Sequence, residues 1–182
     1  TLNFYDSALI EDYYVRQTSV SKELAKVENV LEVKSVSSAP VQAQVSLTYS
    51  YKNGEQVKES KTMTLQPGMN KLNWPIEIQN PHLWMPNGWG EAALYDFEIS
   101  VKVDGRMVAS EKKRVGLRTI KVVMEDDKDG KSFYFVVNGQ PMFAKGSNFI
   151  PDDALLPNVT AERYYQLMKD VKDANHNMIR VW

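Results

Sequence analysis

Apolar and polar residues alternate with a period of two through most of residues 13–123. The pattern is clearest over 45–51, where Val, Leu and two Tyr residues alternate with Ser and Thr. Such alternation is typical of a strand with one face in a core and the other in water. Because the Asn53-Gly54 pair that follows readily adopts the positive φ angles of a tight turn, residues 57–65 are predicted to return as an antiparallel partner.

Five further segments of this region show the same alternation and are bounded by turn residues such as glycine and proline. These predicted strands cover residues 13–15, 30–36, 72–78, 95–103 and 107–115. Pro75 has no N–H to donate, which favours an edge or bulged position for its strand. About seven short antiparallel strands without an intervening helix predict an immunoglobulin-like antiparallel β-sandwich over residues 1–123.

The pattern changes after residue 123. Residues 124–132 are charged, contain glycine and lack an apolar period, which predicts a linker. Beyond it, apolar and polar residues alternate over 133–137 up to the turn residues Asn138-Gly139, and a further stretch covers 142–146. These residues therefore predict a hairpin that leads into a strand.

A helix and a final strand complete the chain. Thr160 is a predicted N-cap, and apolar residues recur along one helix face at the i, i+3, i+4 and i+7 spacing. They are Tyr164, Leu167, Met168 and Val171. The order strand, helix, strand predicts that the two strands run parallel. Because one such unit cannot bury both faces of its sheet, residues 133–182 are expected to open a truncated barrel or doubly wound domain.

The terminal strand 178–182 is apolar except for one arginine. Alternation places Met178, Arg180 and Trp182 on one face of the strand and Ile179 and Val181 on the other. The apolar character predicts a position inside a parallel sheet with both faces covered, not at an edge. A guanidinium in such a strand needs a carboxylate or several other acceptors around it.

Composition favours a globular protein. Apolar residues make up 43% of the 182 residues and charged residues 25%, which is enough apolar side chain for a core. The formal net charge is -1 and no basic stripe is present, so neither nucleic acid nor a membrane surface is expected as a partner. The chain has no cysteine, and His82 and His176 lack a partner at ligand spacing, so neither a metal nor a cofactor is expected.

The sequence leaves the cellular compartment open. No apolar run approaches the roughly 20 residues needed to cross a bilayer. Residues 1–6 lack the basic and apolar regions of a signal peptide, so any export signal is expected to have been removed or to lie upstream. Zero cysteines fit either the cytoplasm or the periplasm, and a periplasmic or secreted location is favoured.

Five short motifs, in order along the chain, resemble glycoside hydrolase family 2. Residues 81–90 (PHLWMPNGWG) and 115–120 (VGLRTI) are similar to its central sandwich domain. Residues 138–141 (NGQP), 143–148 (FAKGSN) and 177–182 (NMIRVW) are similar to the start of its catalytic (β/α)8 TIM barrel. The resemblance implies a mainly β chain with the first βαβ portion of that barrel. It also implies that an upstream sugar-binding-type domain and the rest of the barrel are missing from this chain.

Within the family, the residues after Asn148 are similar to the β-mannosidase-like branch. Galactosidase- and glucuronidase-like members continue with a His-Glu pair, whereas Asn148 here precedes Phe149-Ile150-Pro151-Asp152. That branch often has Trp at the position of Phe149, so a contact through an indole N–H would be lost here. The resemblance implies a parent enzyme, an exo-β-mannosidase, whose partner is a β-mannoside at the end of an oligosaccharide.

The resemblance also implies a reaction that retains configuration through two carboxylates, roughly 5–5.5 Å apart. In the family both catalytic Glu residues lie on later barrel strands. No catalytic residue is therefore expected in this chain, which is predicted to be inactive by itself. The acidic residues of the predicted helix are interpreted as solvated surface groups; they are Glu162, Asp170 and Asp173.

Five residues near the ends of the two predicted barrel strands are the candidate substrate-binding residues. The resemblance assigns Arg180 to hydrogen bonds that hold the nucleophile carboxylate ionised, which suits a permanently charged, bidentate guanidinium. It makes Trp182 an apolar wall for a sugar ring and Asn148 a contact to the sugar or to a residue that holds it. Phe149 adds an aromatic surface, and Asp152 lies on the side where barrel enzymes place their sites.

Structural roles are open alternatives for the same residues. Arg180 and Trp182 could belong to a core ion pair and a core aromatic cluster, since a barrel interior is filled with side chains. Asn148 could be a turn residue that ends a strand. Asp152 and the neighbouring Asp153 could lie in an ordinary loop or cap a helix.

Two other functions are alternatives for the parent protein. The first is another activity of the same family, toward β-galactosides or β-glucuronides. The second is a non-catalytic carbohydrate-binding or adhesion module that uses Trp84 and Trp89, because exposed tryptophans stack on sugars. The Pro- and Gly-rich setting of these residues favours instead a packed loop in which both rings are anchors.

Overall fold

The computed structural model describes residues 7–52 and 54–182, so residues 1–6 and Asn53 of the predicted first turn lie outside the described part. The strands of the first half are β1 (Ala8–Val20), β2 (Leu24–Ser35), β3 (Val41–Tyr51), β4 (Val57–Leu65), β5 (Gly68–Gln79), β6 (Tyr95–Val103) and β7 (Arg106–Val115). The later strands are β8 (Ile120–Val123), β9 (Asp126–Asp127), β10 (Gly130–Lys131), β11 (Tyr134–Val137), β12 (Gln140–Met142), β13 (Gly146–Phe149) and β14 (Met178–Val181). A 3-10 turn (Leu156–Asn158) and the helix α1 (Ala161–Asp173) lie between β13 and β14.

Contacts divide the chain into two compact units. The first contains the described residues up to 82 together with 93–117, and the second contains 83–92 together with 118–182. In the chain, 83–92 connects β5 to β6, yet its contacts place it in the second unit. The predicted linker at 124–132 contains the short hairpin of β9 and β10, and as a domain boundary it stays a prediction.

The first unit is a seven-stranded antiparallel β-sandwich, which confirms the interpretation of the period-two pattern. One sheet has the order β1-β2-β5 and the other the order β4-β3-β6-β7. In β6 every second residue from Tyr95 to Val103 is buried, because alternate side chains of a strand point to the same face. Pro75 lies in β5 at the end of its sheet, as its missing N–H predicted.

β1 and β2 are longer than the predicted strands at 13–15 and 30–36. Their turn is closed by Ser21, whose hydroxyl accepts hydrogen bonds from the N–H groups of Glu23 and Leu24 at 3.2 and 3.0 Å. The prediction from alternation did not include the first half of β2, because a polar residue, Asn29, occupies one of the buried positions there.

Asn29 is fully buried and joins the three strands of its sheet. Its Oδ1 accepts a hydrogen bond from the Tyr13 hydroxyl of β1 at 2.8 Å. Its amide nitrogen donates to the backbone oxygen of Trp74 in β5 at 3.3 Å. Because an unmade bond to a buried polar group costs about 1–3 kcal/mol, these partners make a core-facing asparagine tolerable.

The second unit contains the antiparallel sheet β12-β11-β8 and the parallel pair β13-β14. Asn138 and Gly139 have φ angles of 49° and 80°, which confirms the predicted hairpin between β11 and β12. The parallel pairing of β13 with β14 across α1 confirms the predicted strand, helix, strand unit. Thr160 caps α1 as predicted, because its side chain accepts the N–H of Arg163 at 3.2 Å.

One prediction about this region is wrong. The first strand of the parallel pair is 146–149 and not 142–146, because the Asn177 side chain bonds the backbone of Phe143 and Lys145 in place of a strand ladder. Within the described residues β14 pairs with β13 alone and Val181 is 66% exposed, so a position of β14 inside a larger parallel sheet stays a prediction. Two strands and one helix offer too little apolar surface to cover both faces.

The helix α1 buries none of its residues, although its predicted apolar face is recognisable: Leu167 and Val171 are half-buried, and Met168 is more exposed. No helix in the described part of the chain combines the length and apolar composition needed to cross a membrane.

We predict that Tyr13→Phe lowers the free energy of unfolding by about 1–2 kcal/mol, because Asn29 then loses a donor inside the core. Tyr14→Phe is the matched control, since Tyr14 is 39% exposed, and we expect a change within about 0.5 kcal/mol. Denaturant unfolding of each variant measures both values. Equal effects of the two substitutions would contradict the role of the buried hydroxyl.

Alkaline pH gives a second test of this core. Burial raises the pKa of Tyr13, Tyr49 and Tyr95 above the ordinary value of 10.0. Above about pH 10 the unfolded chain loses these protons while the folded chain keeps them, so we predict that stability falls as pH rises. Tyr13→Phe is expected to reduce the slope of this decline by up to about 1.4 kcal/mol per pH unit in unfolding curves. An unchanged slope would exclude Tyr13 as a contributor.

Candidate functional site

The predicted substrate-binding residues lie on β13 and β14 or directly after them. The register of this parallel pair places Gly146 opposite Met178 and Asn148 opposite Arg180. Because the carboxyl ends of parallel strands meet at the same edge of a sheet, the side chains near those ends share one region. Trp182 continues the pairing, since its backbone N–H donates to the oxygen of Phe149 at 3.0 Å.

Gly146 permits the close approach of the two strands. A Cβ atom at this position would overlap the backbone carbonyl of Met178. Next to it, the Lys145 oxygen accepts the N–H groups of Asn177 and Met178 at 2.9 and 3.2 Å. Only a residue without a side chain fits between the strands here.

Asn148, Arg180 and Trp182 form a contiguous group. The Nη1 atom of Arg180 donates to Oδ1 of Asn148 at 3.2 Å, and its guanidinium lies 5.6 Å from the centre of the Trp182 ring. This confirms that Arg180 and Trp182 share a face, as strand alternation predicted. Trp182 is 72% exposed, and among the residues that the structure describes Arg180 has no carboxylate partner.

The group combines an amide, a permanent cation and a broad apolar ring, and all three are accessible to a ligand. Hydrogen-bonding groups beside an aromatic surface suit a sugar, which presents hydroxyls at its rim and C–H bonds on its face. The group contains no carboxylate and no nucleophile. It can therefore bind and orient a ligand, but the acid and base of a hydrolytic reaction must be supplied by other residues.

The structure gives Asp152 and Asp153 local partners. Asp152 forms an ion pair with Arg163 of α1, and its carboxylate raises the pKa of that guanidinium. Asp153 accepts hydrogen bonds from the Leu155 N–H at 2.7 Å and the Asn158 amide at 3.1 Å, which lower the pKa of its carboxyl. Asp153 thus has the loop role given as its alternative. A position of Asp152 in a sugar cleft stays a prediction.

The remaining acidic residues of this region lie at the surface, as predicted. Glu162, Asp170 and Asp173 are exposed on α1. Asp170 accepts a hydrogen bond from Gln166, and Asp173 pairs with Lys169 one turn earlier. Hydrogen bonds from its own backbone N–H and from the Thr160 hydroxyl lower the pKa of Glu162.

Trp84 and Trp89 have different environments in the loop 83–92. Trp84 is half-buried, and the Arg118 guanidinium lies 4.8 Å from the centre of its ring. Trp89 is 38% exposed, and its backbone N–H donates to the backbone oxygen of Pro86 at 3.0 Å. Because Arg118 lies over the Trp84 ring, a packed loop fits this residue better than a sugar-stacking surface.

The two histidines lie in different units. His82 stacks on Tyr51 with ring centres 3.9 Å apart, whereas His176 follows the end of α1. Among residues 7–52 and 54–182, no group of three or more His, Asp or Glu side chains is arranged to hold a metal ion.

Sequence reasoning missed the part that asparagine side chains play in the second unit. The Asn138 amide donates to the Trp84 oxygen at 2.9 Å and its Oδ1 accepts the Thr119 N–H at 2.9 Å. The Asn177 Oδ1 accepts the Lys145 N–H at 2.8 Å. Turn chemistry identified Asn138 as a backbone element, but no local signal indicates a bond to a residue 54 positions away.

A cavity of about 510 Å³ lies elsewhere in the second unit. It is bordered by the loop 83–92, the last turns of α1 and the first residues of β14, including Met178. Asn148, Arg180 and Trp182 do not line it. The cavity therefore adjoins the amino end of β14, whereas the candidate site lies at the carboxyl end.

Comparison with known proteins shows which family the chain resembles. Residues 8–118 match the model of a family described as glycosyl hydrolases family 2. Beta-mannosidase B of Aspergillus clavatus is 33% identical over 181 residues, which cover 100% of this chain and 21% of that protein. The chain thus spans about a fifth of the length of the curated relatives it matches.

Solved structures share the fold. The beta-D-mannosidase of Dictyoglomus thermophilum matches with a TM-score of 0.90 at 32% identity, over 99% of this chain and 22% of that one. A beta-glucuronidase of Bacteroides uniformis matches with a TM-score of 0.84 over 98% of this chain and 22% of that one. Its identity of 18% makes this a likeness of fold alone. The shared fold therefore does not identify the sugar of the substrate.

We predict that Gly146→Ala separates β13 from β14, because the added Cβ atom would overlap the carbonyl of Met178. Hydrogen exchange of the β14 amides should then become at least about tenfold faster, as expected when a local hydrogen-bonded pair opens. Ser147→Ala is the matched control, since Ser147 is exposed in the same strand. Unchanged exchange in Gly146→Ala would contradict the close approach.

Proposed function

The chain belongs to glycosyl hydrolase family 2, and from that premise we propose that it is part of a retaining exo-β-mannosidase acting on terminal β-mannose of oligosaccharides. The observation that carries the proposal is the group of Asn148, Arg180 and Trp182 at the carboxyl ends of a parallel strand pair. The β-mannosidases that resemble the chain along nearly its whole length support the choice of sugar.

We propose that β13, α1 and β14 are the first strand, helix, strand unit of the family's (β/α)8 barrel. The parallel register of β13 and β14 supports this assignment, since each barrel strand pairs with the next in parallel. The exposure of Val181 and of the α1 face supports it as well, because neighbouring strands and helices of a barrel would cover them. The active sites of such barrels lie at the carboxyl ends of the strands, where Asn148 and Arg180 stand.

In this proposal Arg180 keeps a nucleophilic carboxylate ionised. A nearby guanidinium favours the charged form of a carboxylate and so lowers its pKa. The hydrogen bond to Asn148 and the contact with the Trp182 ring hold the guanidinium in place. Arg180 thus directs its remaining donors toward a carboxylate from another barrel strand.

Trp182 would pack its exposed ring against the C–H face of the mannose unit, and Phe149 would extend this apolar surface. Asn148 would contact a hydroxyl of the sugar while its Oδ1 stays bonded to Arg180. Asp152 would remain at the rim of the cleft, paired with Arg163.

The two carboxylates of a retaining mechanism, roughly 5–5.5 Å apart, would be contributed by later strands of the same barrel. We propose that the present chain alone does not hydrolyse glycosides. It would supply residues that bind the sugar and adjust the nucleophile, and the reaction would require the complete barrel.

We predict that the full-length protein hydrolyses an aryl β-mannoside with a kcat/KM at least about 100-fold above that for the matching β-galactoside or β-glucuronide. The reason is that these sugars differ from mannose in the configuration of ring hydroxyls and, for the glucuronide, in carrying a carboxylate, which leaves buried polar groups unpaired with the wrong substrate. Initial rates with the three aryl glycosides measure this. A preference for either of the other two would reject the β-mannosidase assignment and leave the family intact.

In the same enzyme, Arg180→Met is expected to lower kcat/KM about 10²–10³-fold, as is typical when a charge-stabilising donor is removed. Because the nucleophile pKa would rise, the acidic limb of the pH profile should move to higher pH. Arg114→Met is the matched control, since Arg114 is an exposed sandwich residue paired with Asp96. A variant at Arg180 with the rate and pH profile of the control would remove Arg180 from the site.

Trp182→Ala is expected mainly to raise KM, by about tenfold, because it removes an apolar contact of roughly 1.4 kcal/mol. Trp182→Phe keeps an aromatic face and should recover most of this loss. Steady-state kinetics of the two variants separate the effects on KM and kcat. Equal KM values in Trp182→Ala and the wild type would mean that the ring does not contact the sugar.

A further inference from the structure

The chain reverses direction between α1 and β14 through a well-defined helix end. Asn175 has a φ of 57°, in the left-handed region, and its N–H donates to the Lys172 oxygen at 3.0 Å. The His176 N–H donates to the Val171 oxygen at 3.1 Å. This pair of bonds is the Schellman arrangement that ends many helices. It directs the chain from the helix into β14.

Asn87, in the loop 83–92, bonds both sides of this reversal. Its amide nitrogen donates to the Lys172 oxygen at 3.2 Å and to the His176 oxygen at 3.1 Å. The first acceptor is in the last turn of α1 and the second is two residues before β14. A single side chain therefore uses two N–H groups to hold the helix end against the start of the strand.

The loop that carries Asn87 is itself held in place. The Met85 N–H donates to the Glu91 oxygen at 2.8 Å, which closes the loop across its ends. The Asn138 amide bonds the Trp84 oxygen at 2.9 Å. Gly88 has a φ of 79°, a conformation that glycine adopts without strain. The Asn87 side chain therefore projects from a fixed backbone and can hold the end of the helix in a defined position.

The start of β14 is linked to the candidate site through strand register. The Asn177 side chain joins it to the segment before β13, bonding the Lys145 N–H at 2.8 Å and the Phe143 oxygen at 3.0 Å. Arg180 follows three residues later, about 10 Å along the strand. A slip of one residue would turn Arg180 to the opposite face and away from Asn148.

We propose that Asn87 is a positioning residue for the sugar site: through the carbonyls of Lys172 and His176 it sets the start of β14 and thereby the place of Arg180 and Trp182. This inference rests on the proposed function of these two residues. It gives the loop 83–92, which separates β5 from β6 in sequence, a part in the reaction of the second unit.

The test uses Asn87→Asp in the full-length protein with an aryl β-mannoside as substrate. An ionised carboxylate has the shape of the amide but donates no hydrogen bond, and it would face two carbonyl oxygens. We expect kcat/KM to fall about 10- to 100-fold near neutral pH, the size of effect that a small misplacement of reacting groups produces. As the pH falls and the carboxyl gains a proton, its O–H can donate to one of the two carbonyl oxygens, so activity relative to the wild type should recover in part.

Controls separate this behaviour from general effects of pH and folding. Lys172 and His176 are the ionisable side chains among the described residues that line the adjoining cavity. Both are present in every variant, and Asn87→Ala, which introduces no carboxylate, shows how far the ratio of variant to wild type depends on pH without the new charge. Asn73→Asp is the matched substitution at an exposed position of β5 and should stay at the wild-type rate throughout. Asn87→Ala should lose activity at every pH.

Hydrogen exchange provides a readout that does not depend on activity. In Asn87→Asp and Asn87→Ala, the amides of β14 should exchange at least about tenfold faster than in the wild type, while those of β6 stay unchanged. Faster exchange in a protein that does not cleave β-mannosides would support the positioning role and reject the proposed function. Wild-type exchange in both variants, or an activity loss in Asn87→Asp that does not vary with pH, would overturn the positioning role.

Discussion

The close parallel approach of β13 and β14 is the constraint on which the candidate site depends. Gly146 leaves no room for a side chain against the Met178 carbonyl, and this contact fixes the register along the pair. Once the register is set, Asn148 and Arg180 lie opposite each other and their side chains point to one face. The chemistry at the carboxyl end thus follows from a steric condition at the amino end.

The sandwich shows how a polar side chain can organise an apolar core. Asn29 occupies a core-facing position of β2, where a simple alternation would place an apolar residue. Its bonds to Tyr13 and to the Trp74 backbone connect all three strands of the sheet. Apolar burial holds the two sheets together, but it is not directional, whereas hydrogen bonds to one buried amide favour a single register.

The second unit relies on asparagine in the same way. Asn87, Asn138 and Asn177 each bond backbone groups of segments far away in the chain. An amide offers donors and an acceptor without a charge, so it can satisfy backbone carbonyls and N–H groups at modest desolvation cost. Because the apolar interior of this unit is small, these hydrogen bonds contribute more than apolar packing does to holding its segments in place.

The sequence by itself determined the seven-strand sandwich, the turn at Asn138-Gly139, the Thr160 cap and the shared face of Arg180 and Trp182. These features follow from side-chain period and from turn and cap chemistry, which act over a few neighbouring residues. The resemblance to a family added the roles expected of those residues, and the comparisons placed the chain in that family.

Only the tertiary structure decided that 83–92 belongs to the second unit, that β13 spans 146–149 and that Asn87 bonds the end of α1. It also decided that, among the described residues, β14 pairs with β13 alone and Val181 is exposed. Each of these depends on segments that are distant in sequence. The local period predicts which face of a strand a residue occupies, but it does not predict which distant segment packs against that face.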